Sequence, residues 1–271
     1  MKQKKIIFRD DEIVEFCRAT LDTNEIHDPA FMAKLGRRVI VPGMFALAYT
    51  VNLSADFLKN HARSLKVLFN SLLSSGDFVT LCSMVSPEDP SEIRLSAINH
   101  KDTLTSKDEY TRLSVKDTGF RTDYNGIVRR LEVKPEQVQK FKELIGGMDP
   151  DVVNFLFAIA YASRALFRSI DQPETDIELE IDRVINKNSN ISPFYRTIEI
   201  RIPSPFPVFD PAVALDYYIH FECEKPCKLY AAYVRCESQG KVIFQSQYKL
   251  LGIPDRIILR MAKEIKHRTS V

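Results

Sequence analysis

The sequence predicts an α+β chain built twice over, each half a long buried helix wrapped by a curved antiparallel β-sheet. Three observations predict it. Two helix openings look alike, two apolar helices share the blocks "FALAYT" and "FAIAYA", and each helix is followed by strands of alternating character. A unit this long is not a solenoid repeat. Two such units bury their sheet edges by standing side by side in one continuous sheet.

Each element has its own signal. "KKIIF" reads as a short strand, and "DDEIVEFCRAT" (10–20) places Ile13, Val14, Phe16 and Cys17 at helical spacing behind acidic residues suited to a helix N-terminus. In the second half "IVRRLEV" and "KPEQVQKFKELIG" repeat that pair, with Val138, Phe141, Leu144 and Ile145 as the apolar face. "FALAYT" (45–50) and "FAIAYA" (157–162) are apolar nearly all round, as in helices buried on every side. The strands of the first half are expected within 65–85, 92–100 and 109–115, and those of the second within 196–223, 228–238 and 241–253. The join falls near "VKDTGFRTDYNG", which divides the chain into halves of residues 1–118 and 119–271. The tail "RIILRMAKEIKHRTSV" reads as an amphipathic surface helix with His267 solvated.

Composition narrows the function classes. With 271 residues, 45% hydrophobic and 27% charged, the chain is an ordinary folded protein. A net charge of +2, with basic residues spread along the chain, argues against bulk nucleic-acid binding. No apolar run approaches the roughly 18 residues of a membrane span, and the basic start meets acidic residues before any signal-length apolar region. The expectation is a cytoplasmic protein. Cys17, Cys82, Cys223, Cys227 and Cys236 are odd in number and lack zinc-ligand spacing, so they read as reduced, structural thiols, with no metal site.

Chemistry concentrates in "LDTNEIHDPAFMAKLGRRVIVPGM" (21–44). The opening helices of the two halves are 125 residues apart and the buried helices 112, so the second half is 13 residues shorter between them. The shortfall lies in this stretch: Gly147 stands opposite Asp22, and Val152 opposite His27. Pro42-Gly43 then launches a buried helix whose first N–H groups have no intrahelical acceptor and whose dipole is positive. Such a terminus can hold a carbonyl oxygen as it gains negative charge. A carboxylate and an imidazole five positions apart in a bent segment can meet on one water and activate it.

These residues resemble the (R)-specific enoyl-CoA hydratases, the MaoC-like branch of the hotdog superfamily. The family's Asp-x-Asn-Pro-x-His, Asp-Pro-x-(Tyr/Phe)-Ala and Gly-x-x-Ile-Val-His-Gly-Met segments meet "DTNEIH", "DPAFMA" and "GRRVIVPGM" here, and "VLFNSLLSSGDFVTL" is similar to the family's Gly-Asp strand. The resemblance covers residues 5 to 115 and implies a tandem double hotdog with the motif in the N-terminal half. It also implies roles. Asp22 and His27 are the catalytic pair, Gly43 donates its N–H to the thioester carbonyl, and Asn24 braces the loop or the pair and counts with the substrate-binding residues. Glu25 replaces the motif proline, Leu21 a glycine and Pro42 a histidine, and the run after His27 is one residue short.

The reaction implied is reversible hydration of a trans-2-enoyl thioester to the (R)-3-hydroxyacyl thioester, with no cofactor. The substrate is an acyl-CoA or an acyl carrier protein thioester; Lys34, Arg37 and Arg38 are placed to meet CoA phosphates or an acidic carrier, and Phe45 to line the acyl channel between the halves. A homodimer stays open. Two other readings stand beside this one. A hotdog thioesterase commonly carries an acid on the long helix, and here no carboxylate precedes Asp56. The bare second half also suits a non-catalytic acyl-binding or scaffolding protein.

Overall fold

The computed structural model describes residues 1–69, 72–99, 111–119, 127–146, 149–166, 191–225 and 229–254. The tail helix expected over 256–271 and Cys227 lie outside them.

Strand β1 (Lys2–Ile7) leads into helix α1 (Asp10–Thr20), whose acidic first turn suits the positive end of the helix dipole. Its helical repeat turns Ile13, Phe16 and Ala19 inward. A 3-10 turn (Glu25–His27) and α2 (Pro29–Lys34) follow, then α3 (Gly43–Asn52) and α4 (Ala55–Asn60). The remaining strands of this half are β2 (Ser64–Leu68), β3 (Phe78–Val85), β4 (Glu92–Asn99) and β5 (Thr111–Ser114). The second half runs β6 (Ile127–Leu131), α5 (Pro135–Ile145), α6 (Pro150–Leu166), β7 (Ile191–Arg201), β8 (Leu215–Lys225), β9 (Leu229–Ser238) and β10 (Lys241–Pro254).

Among the described residues the strands form one sheet in the order β1-β3-β4-β5-β2-β7-β10-β9-β8-β6. Read inward from each outer edge, both halves follow the same scheme: first, third, fourth and fifth strand, then the second. The two second strands meet at the centre as an antiparallel pair, from Ser64 opposite Arg201 to Leu68 opposite Thr197. Period-2 alternation sets which side chains face the helices. Val79 and Leu81, Ile198 and Ile200, and Tyr217 and Ile219 turn inward and are at most 1% exposed.

The helices of both halves pack against one another. Phe16 of α1 and Phe141 of α5 lie 5.8 Å apart, and Phe141 meets Phe157 of α6 edge-on at 5.4 Å. Polar contacts close the same junction. Gln137 donates to Ala19 O, Tyr49 to Leu144 O, and the Lys59 ammonium reaches Asp149 and Asp151, each at 2.7 Å. In α6 the fourteen buried residues run from Val152 to Leu166, as expected for a helix covered on nearly all sides.

One element differs from the sequence expectation. The buried helix of the first half is interrupted: Leu53 and Ser54 separate α3 from α4, with Ser54 at φ −129°. Neither glycine nor proline marks the break; there the Ser54 hydroxyl bonds that of Ser83 on β3 and the Asn52 amide reaches the carbonyl oxygens of Ile145 and Gly146. Among the described residues no single helix is long and apolar enough to cross a membrane.

Phe141 is fully buried at the helix junction. Phe141→Ala is expected to cost about 3–5 kcal/mol in urea unfolding. Because the junction joins both halves, the loss should appear in one cooperative transition, not in the earlier of two.

Candidate active site

The site is built on the segment that only the first half carries between its opening and buried helices: α5 ends at Ile145 and α6 begins at Pro150, whereas α1 ends at Thr20 and α3 begins at Gly43. Helix α1 closes on Leu21 in the left-handed conformation (φ 53°, ψ 36°), with the Asp22 N–H donating to Cys17 O at 3.0 Å. That turn throws Asp22 out of the helix direction. Its Oδ1 accepts from Asn24 N at 3.1 Å, an Asx turn that holds the carboxylate and leaves Oδ2 facing His27.

Asn24 is exposed, and its Oδ1 accepts from Ile26 N at 3.3 Å, so it braces the 3-10 turn that carries His27. Asp28 then accepts from Phe31 N at 2.9 Å and Pro29 opens α2, a helix start that fixes the chain just past the histidine. His27 is 9% exposed. Its Nδ1 lies 2.6 Å from Ile40 O. A carbonyl oxygen only accepts, so Nδ1 carries the proton, and Nε2 of the neutral ring presents a lone pair. Nε2 stands 3.7 Å from Asp22 Oδ2. Two acceptors at that distance do not bond each other, but one water can donate to both.

Ile40 is itself pinned. Its N–H donates to Ile26 O, Val41 N–H to Leu73 O and Ser75 N–H to Val39 O. The carboxylate of Asp77, 2% exposed, gathers this turn: Oδ2 accepts from Ser74 N at 3.0 Å and from Asn99 at 2.8 Å, while Oδ1 meets Arg38 at 2.6 Å. From there Pro42 leads into α3. Pro42 has no N–H, so Gly43 brings the first amide of the helix. Gly43 lies against the ring of Phe69; a Cβ added there would come within 2.6 Å of Phe69 Cε1.

Of the other residues singled out in the sequence, Lys34 is exposed at the end of α2 and Arg37 is half-buried. Arg38 is occupied with Asp77 and with Ser75 O at 3.0 Å. Phe45, expected to line an acyl channel, is fully buried among aromatic side chains. It is 0% exposed, stacked on Phe16 at 4.5 Å and flanked by Phe8 and Tyr49, because the second residue of α3 beyond Gly43 turns into the core. Burial, helped by the Asp22 charge, pushes the Cys17 thiol well above its usual range, and burial does the same to Cys236. Both are free thiols. Sequence reasoning passed over Phe69 and Asp77 as part of a strand stretch; alternation gave no sign that Phe69 lies against Gly43 or that Asp77 braces the turn beside Ile40.

Two outcomes follow from this geometry. Left-handed backbone costs a non-glycine residue about 1–2 kcal/mol, which a glycine's extra freedom in the unfolded chain largely offsets. Leu21→Gly is therefore expected to leave stability within about 1 kcal/mol, while the β-branched Leu21→Val loses more than that, both read by chemical denaturation. Gly43→Ala should destabilise by about 1–3 kcal/mol through the Phe69 ring. Phe69→Leu in the same chain should recover part of the loss.

No protein-family model matches the sequence, and no curated protein matches it. Solved structures do. The chain is similar over 92% of its length to 97% of a MaoC-like dehydratase, at a TM-score of 0.55 and 9% identity. It is similar over 94% of its length to 96% of the MaoC-like dehydratase of Phytophthora capsici, at a TM-score of 0.52 and 11% identity. A bifunctional dehydratase-cyclase domain in ambruticin biosynthesis is matched over 93% of its length by 96% of this chain, at a TM-score of 0.52 and 12% identity. At these identities the likeness is one of fold: the chain has the α+β hotdog architecture of the MaoC-like dehydratases.

Proposed function

We propose that the chain is a tandem double hotdog of the MaoC-like family, divided at residues 118 and 119, that adds water to trans-2-enoyl thioesters and removes it from (R)-3-hydroxyacyl thioesters. One observation carries this reading: His27 Nε2 and Asp22 Oδ2, both acceptors, face each other at 3.7 Å, with the ring held by Nδ1–H on Ile40 O. A water there donates one hydrogen to each and turns an oxygen lone pair outward, toward C3 of a bound enoyl group.

As the C3–O bond forms, the π electrons of C2=C3 move toward the thioester carbonyl, whose oxygen gains negative charge. The Gly43 N–H, at the positive end of α3, stabilises that oxygen. The proton taken from water by the Asp22–His27 pair is delivered to C2, so the sum is H on C2 and OH on C3. Dehydration runs through the same groups in reverse, the pair returning a proton to the departing hydroxyl. Each residue here needs only to hold or pass a proton, or to hold an oxyanion. Lys34 and Arg37, beside the motif, are the cations offered to CoA phosphates or to an acidic carrier protein.

Hydration of crotonyl-CoA and of a crotonyl carrier protein, followed by loss of the enoyl-thioester absorbance, tests the reading. Turnover is expected on one of them. Asp22→Asn and His27→Ala should each lower kcat by at least 100-fold, the usual scale for a positioned acid–base group, with the chain still folded. A folded chain with no turnover on either thioester sinks the proposal. Release of free thiol from an acyl-CoA would identify a thioesterase instead, and a bound acyl ligand without turnover a binding protein.

A further inference from the structure

We propose that Phe69 is a specificity-determining residue of the Asp22–His27 site: its ring is the wall that the acyl chain meets beside the thioester carbonyl, and it restricts the substrate to short acyl groups. The proposal rests on the hydratase reading above for the place of the carbonyl. It adds the class of acyl group, which that reading leaves open.

The argument begins at the first turn of α3. Gly43 and Phe69 are both partly exposed, whereas Met44 and Phe45, the next two residues of the helix, are buried. One edge of the Phe69 ring faces the glycine: a Cβ built there would lie 2.6 Å from Cε1, 3.0 Å from Cδ1 and 3.4 Å from Cζ. That edge is therefore in contact with Gly43 Cα. A carbonyl oxygen accepting from the Gly43 N–H lies about 2.9 Å from the nitrogen, hence roughly 4 Å from the same Cα. Ring and thioester are neighbours across one backbone carbon.

The ring has little room to retreat. Phe69 N–H, just past β2, donates to Arg196 O at 3.0 Å, and at the opposite end of the same strand pair Ile202 N–H donates to Arg63 O at 2.8 Å. These two bonds fix both ends of the β2–β7 pairing. Beside Phe69 stands Tyr195, with ring centroids 6.0 Å apart, and beside Tyr195 stands Tyr248 at 5.6 Å, itself 0% exposed. Tyr195 Oη and Ser163 Oγ of α6 are 2.9 Å apart, which ties the middle ring to the long helix of the second half. Three neighbouring rings thus occupy the seam between the halves, where close packing leaves no path for a methylene chain.

The route along α3 is closed as well. Phe45 stacks on Phe16 at 4.5 Å, with Phe8 at 5.3 Å and Tyr49 at 5.2 Å. An acyl chain leaving C1 therefore meets the Phe69 ring within its first few carbons. Each methylene beyond that point stays in water and adds nothing to binding.

The test uses the full chain and saturated thioesters, which cannot be hydrated: butyryl-CoA and octanoyl-CoA, and the same acyl groups on a carrier protein, with affinities measured by calorimetry. Wild type is expected to bind octanoyl no more than about threefold tighter than butyryl. Phe69→Ala is expected to bind octanoyl at least about tenfold tighter than butyryl, since each newly buried methylene is worth roughly fourfold. Phe69→Leu, which keeps more of the packing, should move the ratio the same way by less, and decides the matter if the alanine variant does not fold. Loss of packing alone weakens both thioesters alike and leaves the ratio unmoved. A wild-type ratio above about tenfold, or a ratio unmoved in the folded variants, overturns the proposal.

The outcomes separate it from the reading beneath it. Turnover of a crotonyl thioester that Asp22→Asn abolishes, with the ratio unmoved by the Phe69 variants, defeats the chain-length role alone. A ratio that shifts in a chain with no turnover defeats the reaction and keeps the wall. If neither acyl group binds on CoA or on the carrier protein, both fall.

Discussion

The bond from His27 Nδ1 to the Ile40 carbonyl is the constraint on which the rest of the site depends. It decides which imidazole nitrogen carries the proton, and it ties the 3-10 turn to the segment that enters α3. Ile40 in turn is held by the 73–75 turn, and that turn is gathered on Asp77, which also takes the Arg38 guanidinium. The buried carboxylate of Asp77, in the turn just before β3, thereby helps to set where the ring points. The Asp22–His27 pair and the N-terminus of α3 are parts of one braced unit, whose relative position does not depend on long flexible side chains.

Much of this was legible in the sequence because it rests on local chemistry. Helices α1 and α5 were readable to within a residue, since an acidic or proline start and an apolar 3.6-residue repeat both mark them. Asp22, His27 and Gly43 stood out because groups that hold protons or oxyanions cluster in one stretch missing from the second half. The strands were legible from alternation.

The rest depends on contacts far apart in the chain. An apolar residue at the start of a helix reads the same whether it faces a channel or a core, and only the placement of Phe8 and Phe16 puts Phe45 in the core. Arg38 read as one member of a basic cluster, while its partner is 39 residues away. The break after Asn52 has no glycine or proline to announce it, since it is supported by hydroxyl and amide contacts to β3 and to the end of α5. Tyr195 fell just before the expected strand and drew no attention; its neighbourhood with Phe69 arises only where β2 meets β7.

That central pairing of β2 with β7 joins the two halves through backbone hydrogen bonds within a single covalent chain. Where two separate chains meet in this way, dilution pulls them apart, and any change to the sequence is made on both sides at once. Linking them in one chain makes the encounter intramolecular, so the seam holds at any protein concentration. It also frees the two sides to diverge. One side can keep the long polar segment between Thr20 and Gly43 while the other makes do with the short connection between Ile145 and Pro150.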